Sequence, residues 1–333
     1  MRYVSLGSTG IQVSEIAFGA GPISGLMIGA DGDRQRDVLR RAVEVGINWF
    51  DTAATYGNGQ SEASLGAALR ELGALDRVHI ATKVRLQPDD LSDISGRVRA
   101  SVNASLKRLG VPRVSLLQLH NSITAQRGDE PTSLTPRDVV GPGGVIEAFR
   151  RLRDVGLVSH VGLTAIGQAG PLHEVVASGE FATIQVPFSL VNPSAGHSVG
   201  EKFTEANYGQ IITECERQRM GVFAIRVFAG GALLGQPPSP YTFQTKFFPL
   251  DLFRRDEQRA DRLRKLLDGS GITLREAALR FVLSHSGVSS AIVGLGEPSH
   301  IDDAVTASDA GPLDPDLLSR LLHSASGEFC ASG

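Results

Sequence analysis

The sequence predicts an α/β fold: a closed (β/α)8 barrel with an N-terminal β-hairpin, forming a single domain over residues 1–333. Three observations carry that prediction. Eight short apolar runs rich in Val and Ile alternate with segments of helical periodicity, as strands buried on both faces of a parallel sheet do. The units fill roughly 300 residues, which suits a barrel better than a doubly wound open sheet. The two breaks in the rhythm, at about 124–144 and 228–250, each follow a strand-like run, where a barrel carries its substrate loops.

The elements follow in order. Tyr3-Val4-Ser5-Leu6 and Ile11-Gln12-Val13 flank Gly7 and Gly10 and read as a hairpin, and Glu15 to Gly19 is the first barrel strand. Val38, Leu39, Ala42 and Val45 fall at helical spacing before the strand Ile47–Phe50. Leu65, Ala68, Leu69 and Leu72 stripe the next helix, before the strand Val78–Lys83. Val98, Val102, Leu106 and Leu109 precede Val114–His120, and Ile146, Phe149, Leu152 and Val155 precede Val158–Thr164. A short helix near Pro171, a strand Ala182–Pro187, a helix near Tyr208–Arg219 and a strand Val222–Ile225 come next. Thr273 with Glu276 is a capping-box signature for the helix carrying Ala277, Ala278 and Phe281. Ser290–Val293 is the last strand and Pro298–Val305 the last barrel helix, with a terminal helix at about 315–323.

A hydrophobic content of 41% and a charged content of 21% belong to an ordinary globular chain. The net charge of −3 offers no basic footprint for nucleic acid. No run approaches the ~18 apolar residues of a membrane span, and MRYVSLGSTG has no signal-peptide core. A cytoplasmic protein with Cys215 and Cys330 as reduced thiols is the expectation.

Three strands end in residues an apolar core would not choose: Asp51, Lys83 and His120, with Tyr56 just past the first of them. Each alone has a plain structural reading, as a turn cap, a solvated charge, a satisfied histidine and an interface aromatic. Together they fall on one rim of a barrel, where they can converge. A phenol is a poor acid or base near neutrality. A nearby ammonium favours its ionised form, and a carboxylate holds that ammonium in place. An imidazole completes a set suited to proton transfer at a carbonyl or alcohol oxygen. None of the four supplies hydride, so a redox reaction needs a nicotinamide.

The segments LGSTGIQVSEIAFG, GINWFDTAATYGNGQSE, IATKV, SLLQLHN, VGLT, QVPFSL and AGGALLG resemble the successive landmarks of the aldo-keto reductases from about Tyr3 to Val305. The resemblance implies the barrel already favoured by strand counting. It implies that Tyr56 is the general acid/base, that Lys83 and Asp51 tune it, and that His120 orients the substrate carbonyl. It also implies NADPH, less often NADH, bound extended across the rim. Thr164 then takes the place of a serine at the carboxamide, beside Ala165, and Gln185 supplies the second carboxamide contact. Ile225 stands where the family stacks a tyrosine, and Arg226 after it would reach a phosphate. The turn from Gly294 through Gly296 to His300 offers amides at a helix N-terminus, an anion site. Neither Gly294 nor His300 is Lys or Arg, and Asp303, beside Asp302, falls near the family's adenine-side carboxylate. NADP(H) stands only slightly ahead of NAD(H), and the substrate is a small carbonyl or alcohol compound.

Other motifs point elsewhere only weakly. Gly19-Ala20-Gly21 with Gly25 has the wrong spacing for a Rossmann fingerprint. The histidines show no HxxxH or HExxH spacing for a metal. Trp49 reads as barrel packing, and the arginines at 34–41 and 150–153 as solvated helix faces. Two other functions stay open: a nucleotide-sensing regulatory subunit resembling potassium-channel β subunits, and an aldolase forming a Schiff base at Lys83.

Overall fold

Alternation of apolar runs and amphipathic stripes resolves into a barrel whose upper rim is levelled by strand register. The computed structural model describes residues 1–245 and 249–325. Strands β1 (Tyr3–Ser5) and β2 (Gln12–Ser14) form the antiparallel hairpin. The barrel strands are β3 (Ile16–Gly19), β4 (Trp49–Asp51), β5 (His79–Val84) and β6 (Val114–Leu119), then β7 (Val158–Thr164), β8 (Thr183–Pro187), β9 (Gly221–Ile225) and β10 (Ser290–Val293). All eight pair in parallel and in sequence, and β10 closes on β3. Helices α1 (Gly32–Glu44), α2 (Gln60–Glu71), α3 (Ile94–Leu109), α4 (Pro136–Val140), α5 (Val145–Asp154) and α6 (Ala169–Ala177) lie between strands up to β8. They are followed by α7 (Ile211–Arg217), α8 (Leu250–Leu266), α9 (Leu274–Leu283), α10 (Pro298–Asp309) and α11 (Pro315–His323).

The lower end of the barrel is plugged. Leu6 and Val13 from the hairpin pack on Ala17, Trp49, Ala81, Leu116 and Phe223, all buried, with the Trp49 and Phe223 rings 4.7 Å apart. Trp49 therefore belongs to packing. Between the strands and the outer helices a second, larger apolar layer encloses the barrel.

The register sets the site. Gly19 pairs with Asp51, Lys83 with Gln118, and Thr164 with Gln185, so functional side chains come level along one rim. Alternation along a strand keeps every second residue on one face.

Two segments differ from the sequence expectation. The loop at 124–144 contains α4, started by a capping box between Thr135 and Asp138. Helix α8 was not anticipated at all. Its inward face is Phe253, Asp256, Arg259, Ala260 and Leu263, so the apolar stripe is broken by a buried pair, Arg259 with Asp256 at 3.3 Å. Glu205 also accepts from Arg259 at 2.7 Å. Within the 228–250 loop, Ala229–Leu234 forms a 3-10 coil, and residues 246–248 lie outside the described residues. Cys215 is buried and unbridged, whereas Cys330 lies outside the described residues. Among the described residues no helix is long and apolar enough to cross a membrane.

Candidate active site

The upper rim opens into a cavity of about 740 Å³. Asp51, Tyr56 and His120 line it, as do Thr164, Gln185 and Arg226, and Gly294, Gly296, His300 and Asp303 line the same space. Lys83 stands just behind, 1% exposed. Ten of the eleven residues singled out from sequence thus line one cavity, and the eleventh, Lys83, lies behind it.

Tyr56 is carried by an unusual turn. Gly57, Asn58 and Gly59 have φ of 57°, 52° and 91°, a left-handed run that only Gly and Asn adopt cheaply. It reverses the chain after Tyr56 and starts α2 directly. A Cβ on Gly59 would sit 2.6 Å from Arg108 Cδ. Behind this turn Glu62, fully buried, accepts from Thr82 Oγ1 at 2.5 Å and from Arg108 Nε at 2.6 Å. That network pins α2 to β5 and α3.

Lys83 Nζ donates to Asp51 Oδ1, to the Thr52 carbonyl at 2.9 Å and to Tyr56 Oη at 3.4 Å. Asp51 Oδ2 accepts from Gln118 Nε2 at 3.1 Å and from Gln185 Nε2 at 2.5 Å. A buried carboxylate is thereby paired with an ammonium and two amides, the condition under which a buried charge is tolerated. Tyr56 meets the His120 ring edge-on, centroids 5.6 Å apart. Thr55 Oγ1 lies 3.5 Å from His120 Nδ1.

Burial pushes the Tyr56 phenol above its ordinary value of 10, opposed chiefly by the Lys83 charge. Burial works against the Lys83 ammonium too, but Asp51 and Tyr56 outweigh it and hold that ammonium above its ordinary range. A nucleophilic amine is therefore not on offer, which disfavours the Schiff-base alternative. Burial, with Lys83 and Arg85 nearby, drops His120 well below 6.5, so its imidazole is neutral at neutral pH. The set can exchange a proton between Tyr56 Oη and a bound oxygen while a neutral imidazole donates or accepts a hydrogen bond.

Sequence reasoning missed Gln118 and Arg85. Gln118 is two residues before His120, and Arg85 two after Lys83; the period of a strand places each pair on one face, so the signal was present. Arg85 Nε donates to the His120 carbonyl at 3.1 Å and lines the cavity beside Tyr56.

The other contacts assigned from sequence also have local partners or gaps. Thr164 is 2% exposed and its Oγ1 has no hydrogen-bond partner. An orphaned hydroxyl in a cavity fits an absent amide or hydroxyl ligand, because leaving it unpaired costs about 1–3 kcal/mol. Gln185 already serves Asp51 through Nε2. Arg226 has φ 60°, outside the region favoured by side-chain-bearing residues, and such strain clusters at functional sites. At the far end the Gly296 amide points at His300 Nδ1 over a long 3.4 Å. Arg34 Nη2 donates to the Gly296 carbonyl at 3.0 Å and pairs with Glu297 at 2.5 Å. Arg275 pairs with Asp303 at 2.6 Å.

Residues 15–323 match the Aldo/keto reductase family. Aldo-keto reductase YhdN of Bacillus subtilis (strain 168) is 28% identical over 322 residues, 91% of this chain and 87% of that protein. L-galactose dehydrogenase of Arabidopsis thaliana is 26% identical, covering 95% and 92%. A probable voltage-gated potassium channel subunit beta of the same plant is 27% identical, covering 96% and 95%. Among solved structures, aldo-keto reductase AKR11C1 from Bacillus halodurans in its holo form shares the fold at a TM-score of 0.72 and 22% identity, over 96% of each chain. With the barrel, its rim and this match across nearly its whole length, the chain belongs to the aldo/keto reductase family.

Proposed function

We propose that this protein is a nicotinamide-dependent oxidoreductase, working in the cytoplasm, that interconverts a carbonyl and an alcohol with Tyr56 as general acid/base. The observation that carries the reading is the single ammonium of Lys83 bridging the Asp51 carboxylate and the Tyr56 hydroxyl, beside a neutral imidazole in the same cavity. A bound nicotinamide supplies or accepts the hydride. In reduction Tyr56 Oη gives its proton to the carbonyl oxygen, and the charge left on the phenol is met by Lys83. In oxidation Tyr56 takes the hydroxyl proton. Asp51, held by Gln118 and Gln185, keeps Lys83 charged and aimed. His120 orients the substrate oxygen without competing for its proton.

The proposed cofactor run follows strand order: Thr164 on β7 and Gln185 on β8 take the carboxamide, Arg226 beyond β9 a phosphate, and the Gly294–Asp303 segment the adenosine end. Thr55, Asn58, Arg85, Tyr241 and Gln244 add polar groups to the lining of the cavity that Tyr56 enters. Those groups could hydrogen-bond a polyhydroxylated substrate such as a sugar, the class named by the L-galactose dehydrogenase relative. The regulatory reading draws on the potassium-channel relative. A screen of sugars, alcohols and aldehydes with each nicotinamide nucleotide, run on wild-type and Tyr56→Phe protein together, tests the proposal. Turnover by the wild type that the variant lacks supports it. Nucleotide binding with no turnover on any substrate class favours the regulatory role.

A further inference from the structure

The far end of the cavity carries charges in balanced pairs, and that balance bears on which nicotinamide nucleotide fits. Arg34 reaches from α1 to the Gly296 carbonyl and the Glu297 carboxylate. Arg275, at the start of α9, is joined to Asp303 on α10. All four side chains line the cavity. Between them the two arginines and two carboxylates sum to zero. His300, the remaining titratable group there, is lowered by burial and by Arg275 and stays neutral.

We propose that this rim selects NAD(H) over its 2′-phosphorylated form, with Glu297 and Asp303 accepting from ribose hydroxyls while Arg34 and Arg275 are held in ion pairs. The inference rests on the reading above, which puts the adenosine end against Gly294–Asp303. It reverses the slight order suggested by the family resemblance. A ribose hydroxyl is a donor, and a carboxylate is the acceptor that dinucleotide sites use for it. A 2′-phosphate brings about 1.5 to 2 negative charges to a rim with no net positive charge.

The strength of the pairs is not what decides. The side chains of Arg34 and Glu297 are 48% and 47% exposed, those of Arg275 and Asp303 33% and 53%, and pairs this exposed are worth under about 1 kcal/mol each. An arginine can swing to a phosphate cheaply. Doing so strands a carboxylate beside the same phosphate, so the gain is cancelled by repulsion at similar range. The discrimination comes from charge count, and salt should weaken it.

Fluorescence titration of the full chain with NADH and NADPH at low ionic strength reads this directly. NADH should bind at least about tenfold tighter, a difference of about 1.4 kcal/mol, narrowing as salt is raised. NADPH binding as tightly or tighter overturns the inference while leaving the oxidoreductase reading intact. Failure of both nucleotides to bind overturns both. The double variant Glu297→Gln, Asp303→Asn frees two arginines and should shift the NADPH:NADH affinity ratio at least about tenfold towards NADPH. A folded variant with an unchanged ratio would show that these carboxylates do not discriminate, whatever the wild-type preference.

Discussion

Replacing Lys83 by Met removes one charge from two partners at once, and the structure allows both consequences to be sized. Lys83 Nζ is 3.4 Å from Tyr56 Oη. At an effective dielectric of about 20, an ammonium and a full phenolate at that distance attract by about 5 kcal/mol. If the phenol carries between half and all of a charge in the transition state, about 2.5–5 kcal/mol of stabilisation is lost. The expected fall in the chemical rate is roughly a hundredfold to a few thousandfold. Because Lys83 is the chief influence lowering the Tyr56 phenol, its loss should also move the rising limb of the oxidation profile, where Tyr56 must be deprotonated to act as base, to higher pH. Asp51 would be left buried without its cation, retaining only the two glutamine donors. Breaking a buried pair in this way costs about 3–5 kcal/mol. For 333 residues, with an unfolding entropy of about 2.1 cal/mol/K per residue, that is a melting shift of about 4–7 °C. Single-turnover hydride transfer, measured well below the variant's melting point and with saturating nucleotide, is the assay. A folded, nucleotide-binding Lys83→Met protein within about fivefold of the wild-type rate would refute the electrostatic role.

His120 is held well below 6.5 by burial, Lys83 and Arg85, so carbonyl reduction should show no inflection between about pH 6 and 7.5. An inflection there that disappears in His120→Asn would contradict the neutral imidazole. The same depressed group stabilises the fold fully above the unfolded value of about 6.5, and that contribution is lost as pH falls. Denaturant melts taken downward from about pH 6.5 should show stability falling, and less so in His120→Asn. Glu62→Gln breaks the fully buried contact to Arg108 and Thr82. Arg108 is 30% exposed and can turn to water, so the expected loss falls at or just below the low end of the range for a buried pair, about 2–3 kcal/mol. A change under about 0.5 kcal/mol in chemical denaturation would show that α2 is positioned by other contacts.

The strands and the four candidate site residues were legible because each depends on local pattern. Apolar runs mark β4 to β6, and Asp51, Lys83 and His120 stand at their upper ends. Gln118 and Arg85 were legible in principle from the period of the strand, once Lys83 and His120 were noticed. Helix α8 was not, because Asp256 and Arg259 occupy inward positions that a helical stripe would fill with apolar residues. The rim pairs were out of reach for a different reason. Arg34 and Glu297 are 263 positions apart and meet only because β10 closes on β3. Gln185 reaches Asp51 across 134 positions. Its amide could be assigned to a carboxamide by resemblance, but its role in holding Asp51 emerges only when the barrel is built.

Tyr56→Phe tests the central claim most directly, since it deletes one oxygen from a buried ring and leaves Lys83, Asp51 and the cofactor rim in place. Stopped-flow turnover with the best substrate, paired with nucleotide titration of the same sample, should show catalysis reduced by about 10²–10⁴, the range for a lost general acid or base. Nucleotide affinity should stay within about threefold. Turnover within tenfold of wild type, with nucleotide bound normally, would contradict the assignment of Tyr56 as the group that moves the proton.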